Sequence, residues 1–214
     1  VQPASHQRWQ CFAGIWPPLG INFVIRLIKK GDTVNFRIIS IIVLAAMGSA
    51  CSTYTTPRYA INADTNVTLK GLGATDLSVG TFTGPTTFDK SCRAAGPLAP
   101  PDGMSHTDYI KKAFEDELKV AGIYAATNPR ITLSGNVKKL EFSSSRGLTG
   151  GSWDIEILLS SSNGKTLPVT EHYEFESGFI ADTACKQTAE AYSPAVQDLI
   201  KKAVRSIEFK ALVQ

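Results

Sequence analysis

Three histidines (His6, His106, His172), four cysteines (Cys11, Cys51, Cys92, Cys185) and a crowd of carboxylates at Glu171, Glu174 and Glu176 carry the reactive potential of this chain. Metal binding needs paired ligands at set spacings. No two histidines stand at such a spacing and no Cys-x-x-Cys occurs, so no metal site is expected and the histidines read as surface residues. Gly164-Lys165-Thr166 matches the last letters of a phosphate-binding loop. The glycine required five positions earlier is Leu159, and a strand pattern follows where a helix should start, so the triplet reads as a turn. The serine runs at 143–145 and 160–162 have no G-x-S-x-G frame. Carboxylates acting as acid and base need a cleft and shifted pKa values, whereas the three glutamates share a strand that reads as solvated. No catalytic residue and no cofactor are therefore expected, and the chain is not expected to be an enzyme.

The charge distribution excludes another class. The 214 residues carry a formal net charge of +3, yet five basic residues and one acidic residue precede Cys51. The remainder has 17 basic and 18 acidic residues, which gives no basic surplus to attract a phosphate backbone, so no nucleic-acid partner is expected.

The basic residues flank a targeting signal. Arg37 precedes the apolar run I-I-S-I-I-V-L-A-A-M-G-S-A over residues 38–50. That run is too short to span a bilayer as a helix but suits the apolar core of a signal peptide. The small residues Gly48, Ser49 and Ala50 lead into Cys51, as a peptidase cutting before the cysteine requires. M-G-S-A-C resembles the lipobox of bacterial lipoproteins, although Gly48 stands where an aliphatic residue is usual. The resemblance implies cleavage before Cys51 and a lipid anchor on its sulfur, with fatty acyl chains. The alternative is an ordinary secretory signal cut near Ala50. Residues 1–33 read as an over-extended N-terminus with Val34 as the start, residues 34–50 as the signal peptide and residues 51–64 as anchor and polar tether. Ser52, in place of the Asp that marks inner-membrane retention in enterobacterial lipoproteins, points to the outer membrane and its periplasmic face, with the inner membrane as the alternative. With Cys51 lipidated and Cys11 removed, the exported part keeps the even pair Cys92 and Cys185. These are expected to form a disulfide, or else to be two unrelated buried thiols.

Residues 65–214 read as a single domain. Short strands are expected over 66–69 and 77–82 and a loop over 84–104. Ser105 caps a helix with Ile110, Phe114 and Leu118 on one face, and Gly122 ends it. Three alternating strands follow, around Ile131–Phe142, Trp153–Leu159 and Leu167–Phe175. A bulge is expected at Lys138-Lys139, a mobile loop over 143–151 and a hairpin turn at Asn163-Gly164. The C-terminal region reads as helical, kinked or restarted at Pro194 with Ser193 as its cap. The order is β-β-α-β-β-β-α, which predicts an α+β two-layer sandwich: a mostly antiparallel sheet of about five strands with two helices on one face.

Leu148 and Trp153 are the candidate partner contacts, since a glycine-rich loop adapts and tryptophan anchors interfaces. The alternative places Trp153 in the core. Val79–Phe82, Ala121-Gly122, Ile131–Gly135 and the C-terminal helix together resemble a loose group of periplasmic accessory lipoproteins of the transporter-auxiliary and envelope-assembly kinds. That resemblance implies a non-catalytic module that docks onto another envelope protein. The alternative is a lipid- or glycan-binding protein, and after it an enzyme, which would need a polar cleft around Glu171–Glu176 or an unpaired Cys92.

Overall fold

The computed structural model describes residues 52–214 other than 86 and 148. The expectations placed on Gly48, Ser49, Ala50, Cys51 and Leu148 lie outside the described residues. In chain order the elements are β1 (Tyr54–Thr55), α1 (Ala63–Gly71), β2 (Leu77–Thr83), β3 (Ser91–Cys92), β4 (Gly96–Ala99), a 3-10 turn (Pro101–Gly103), α2 (His106–Ala121), β5 (Ile131–Arg146), β6 (Gly150–Ser161), β7 (Thr166–Glu176), α3 (Ala181–Arg205) and α4 (Ile207–Val213).

The expected meander forms. β5, β6 and β7 pair antiparallel, and the register of β5 shifts between Val137 and Lys139, where the alternation in the sequence changes phase. Trp153, Ile155, Ile157 and Leu159 of β6 are buried on one face, with Asp154 and Glu156 on the other. β2 adds to the far side of β5 in parallel, giving the order β2-β5-β6-β7. A parallel neighbour requires a crossover, and α2 lies between the two strands in sequence.

Helix α2 packs on β2 and α3 packs across β5, β6 and β7. Ser105 caps α2 by accepting from the Asp108 N–H at 3.0 Å, and Gly122 closes it in the left-handed region at φ 76°. The core centres on Trp153, whose ring lies 4.5 Å from Tyr192, 5.1 Å from Phe142 and 6.0 Å from His106.

The α+β class stands, but the strand count and order differ from those expected. Among the described residues there are two mixed sheets, of four and three strands, and four helices. Residues 66–69 are helical, inside α1. Asn62 accepts from the Thr65 N–H at 3.0 Å, and buried Thr65 and Leu69 stand one helical turn apart. The β-branched Val67 and Thr68 weigh against a helix by only tenths of a kcal/mol, which packing against α2 and α3 overrides. The 84–104 loop holds β3 and β4, which with β1 make the small sheet β1-β4-β3. The 143–151 loop is a hairpin end, since β5 runs to Arg146 and β6 starts at Gly150. Helix α3 runs through Pro194 without restarting; the break comes at Ser206, which accepts from the Phe209 N–H and opens α4.

The segment read as a tether is laid along the domain. Thr56 N–H donates to Ala99 O at 3.0 Å, Tyr109 hydroxyl to Pro57 O at 2.9 Å and Gln197 Nε2 to Ala60 O at 2.6 Å. Buried Glu117 accepts from the Tyr59 hydroxyl at 2.8 Å and the Asn62 N–H at 2.7 Å. Side chains in the helical layer thus fix a stretch whose polar composition suggested freedom.

Candidate functional site

The first described residue, Ser52, leads into a corner built around a disulfide. Cys92 ends β3 and Cys185 lies in the first turns of α3; both are fully buried and bonded, with a Cα–Cα distance of 5.8 Å. The pairing expected from the even cysteine count is therefore present.

The turn after Cys92 is strained. Arg93 and Ala94 both have left-handed backbones, at φ 45° and 54°, and Ala95 N–H donates back to Cys92 O at 2.8 Å. Tight hairpin turns of this hand favour Asn and Gly, and other residues lose about 1 kcal/mol or more each there. The surroundings hold the turn in place. Arg93 Nε donates to Ser144 Oγ at 2.9 Å, its Nη2 donates to the Ser144 carbonyl, and its Nη1 donates to Phe179 O at 2.9 Å and Gly178 O at 3.5 Å. One guanidinium thus ties the turn to β5 and to the loop before α3.

The chain from residue 52 meets this corner directly. Gly96, at φ 151°, leaves room for the Ser52 carbonyl, which an added Cβ would overlap. Two residues on, Tyr54 pairs with Leu98, and its hydroxyl donates to Asp182 at 2.9 Å. Just before Asp182 stand Phe179 and Ile180, 81% and 69% exposed.

The open face of the main sheet is polar. His172 reaches Asp154 at 2.7 Å and Glu174 at 3.1 Å, and Arg146 pairs with Glu174. These groups are exposed, where such pairs contribute about 0–1 kcal/mol.

The three glutamates do not converge. Glu171 alternates to the helix side of β7 and lies 3.5 Å from Lys202, while Glu174 and Glu176 face the other way. Gly164-Lys165-Thr166 forms the end of the β6–β7 hairpin and the start of β7; Asn163 Oδ1 accepts from the Lys165 N–H at 2.9 Å. Among the described residues no group of three or more His, Cys, Asp or Glu is placed to hold a metal ion.

Two expectations are corrected. Trp153 is fully buried, and its indole N–H donates to Thr188 O at 2.9 Å, so it is a core residue and not a surface contact. A strand facing two helices offers tryptophan an interior site that a sequence window cannot distinguish from an interface. His106 is buried rather than superficial: its ring lies 4.8 Å from Phe88 and 5.0 Å from Tyr192. Burial, with the nearby charge of Lys90 as a smaller cause, lowers its pKa to about 4. Arg93, Asp182, Phe179 and Ile180 were not singled out from sequence. Gly178 before an adjacent apolar pair was the only local signal for them.

No protein-family model matches the chain, and no curated protein matches it. Among solved structures, it is similar to protein XCC0632 from Xanthomonas campestris, assigned to family model DUF330, at 13% identity, covering 72% of this chain and 93% of that one with a TM-score of 0.44. It is also similar to PelC from Paraburkholderia phytofirmans, crystallised as a dodecamer of a point variant, at 15% identity, covering 75% of this chain and 94% of that one with a TM-score of 0.33. At these values the likeness bears on neither the ligand nor the assembly of this chain.

Proposed function

We propose that this chain is a lipid-anchored domain of the bacterial envelope that acts by binding another envelope component and carries no catalytic site. The observation that carries the reading is the buried Cys92–Cys185 bond, downstream of a signal-like segment that ends at Cys51. Structural disulfides persist in oxidising compartments, so the bond and the leader point to the same export route. Ser52 after the cysteine favours the outer membrane and its periplasmic face. Binding is favoured over catalysis because the reactive groups are dispersed: Glu171 is split from Glu174 by the sheet, and His106 is sealed among aromatics. The space between helices and sheet, where a small amphiphile would sit, is filled by Trp153, Tyr192 and Phe142.

The test is the intact mass of the protein purified from the membrane fraction of an expressing bacterium. A mass starting at Cys51 with a diacylglyceryl group and an acyl chain supports the anchor. An unmodified mass that retains residues before Cys51 refutes it. A pulldown in mild detergent that recovers no stoichiometric partner would count against the binding role.

A further inference from the structure

We infer that Phe179 and Ile180 form a membrane-contact lip, seated in the interfacial layer of the leaflet that holds the Cys51 lipid, and that this lip orients the domain on the bilayer. The inference rests on the anchor proposed above and goes beyond it by assigning the face that meets the lipid.

The position of the lip follows from covalent geometry. Cys51 is bonded to Ser52, and consecutive Cα atoms lie about 3.8 Å apart. The Ser52 carbonyl lies against Gly96 of the small sheet, so a lipid on the preceding residue is tied to this corner through one peptide bond. Two residues along, Tyr54 is bonded to Asp182, and Ile180 is two residues before Asp182. On the other side of the corner, Gly96 pairs with Cys92, and the next residue, Arg93, is bonded to the Phe179 carbonyl. The lip and Ser52 therefore belong to one corner of the domain, linked through Tyr54–Asp182 on one side and Arg93–Phe179 on the other.

The chemistry of the lip suits lipid better than water. Among the described residues the large exposed apolar side chains are Ile61, Val67, Val120, Phe179, Ile180 and Ile207, and only Phe179 and Ile180 are adjacent in sequence. A loop whose side chains reach the acyl boundary gains from a backbone that is already satisfied, because unpaired carbonyls cost several kcal/mol wherever hydrocarbon replaces water. Here the Gly178 and Phe179 carbonyls accept from Arg93, and the Ile180 carbonyl accepts from the Ala184 N–H at 2.9 Å. The Gly178 N–H donates to Gln187 Oε1 at 2.6 Å. A loop facing only water could leave these carbonyls to solvent.

Ile207, 90% exposed, is an internal control. It opens α4, which meets the opposite end of the sheet: Asn163 at the β6–β7 hairpin donates to Ala211 O at 3.0 Å. The lip follows Ser177, whose N–H donates to Thr149 O at the β5–β6 end. The 12 residues of β6 separate the two ends by roughly 36–40 Å.

The experiment uses the full chain, expressed in a bacterium, purified from membranes and reconstituted into phosphatidylethanolamine–phosphatidylglycerol vesicles. Part of the lipid carries bromine on its acyl chains, which quenches tryptophan within contact distance. Phe179→Trp and Ile207→Trp are compared after subtracting the emission of the parent protein. Both sites are exposed, so neither change disturbs the core. The expected result is a blue shift and loss of emission for Phe179→Trp, with neither for Ile207→Trp. An intact mass is taken on each preparation. If Cys51 is lipidated and Phe179→Trp is unquenched, or both variants are quenched equally, the lip is refuted while the anchor stands. If Cys51 carries no lipid, the anchor reading fails and the lip fails with it.

Discussion

Replacing both members of the buried bridge, Cys92→Ala with Cys185→Ala, should destabilise the domain by an amount that loop length sets. The bridge joins residues 93 positions apart. In the chain-entropy model, removing that closure frees the unfolded chain by about 4.6 kcal/mol, before any cost of repacking two fully buried side chains. The unit Ser52–Gln214 has about 160 residues. At about 2.1 cal/mol/K per residue its unfolding entropy is about 0.34 kcal/mol/K, so the loss corresponds to a fall of roughly 13 °C in Tm. The left-handed Arg93–Ala94 turn should loosen as well, because its covalent hold on α3 is gone. The assay is calorimetry of the full chain against the double variant, each with and without reductant, and with thiol blocking to verify the bond in the parent. Reductant should lower the parent to near the variant and leave the variant unchanged. A fall below about 4 °C in a parent shown to be bridged would refute loop closure as the main effect of the bond.

Three further outcomes follow from the core and the strapped segment. Trp153→Ala should cost about 3–5 kcal/mol in urea unfolding, the range for a large buried aromatic; a loss under 1 kcal/mol would return Trp153 to the surface. His106 is kept neutral by burial with a folded pKa of about 4, below its unfolded value of 6.5, so its contribution is complete above pH 6.5 and is lost as pH falls toward 4. The domain should weaken by about 3 kcal/mol across that window, and His106→Leu should flatten this part of the stability–pH curve. Glu117→Ala leaves the Asn62 N–H and Tyr59 hydroxyl without their acceptor and should cost about 2–3 kcal/mol. Hydrogen exchange over residues 57–62 should rise in that variant, and unchanged protection would show that the strap is held by other contacts.

Much of the scaffold was legible because local rules and tertiary demands agree there. Alternation along Trp153–Leu159 and Leu167–Phe175 places β6 and β7, the phase change at Lys138-Lys139 marks the bulge, and Ser105 with Gly122 brackets α2. In each case the signal lies within a few residues and the helical layer buries the face the pattern presents. The even pair Cys92 and Cys185 likewise implied a bond without any geometry, on the expectation that the chain is exported. The sequence alone also supplies the near-neutral charge balance of the residues after position 51.

Other features depended on contacts between distant residues. Helix α1 exists because Leu69 finds a place on α2 and α3, which outweighs the β-branched residues beside it. The polar stretch after Ser52 is fixed by Glu117, 55 positions beyond Asn62. Tryptophan at position 153 and histidine at 106 look the same in a sequence window whether they face solvent or the core, and only the packing of α2 and α3 on the sheet buries them. The corner beside Ser52 joins residues from β1, β3, β5 and α3, and no local pattern reports a site assembled from four separate stretches of chain. Side-chain period and turn chemistry are local properties that a sequence states, whereas burial and convergence are sums over contacts that exist only once the chain has folded.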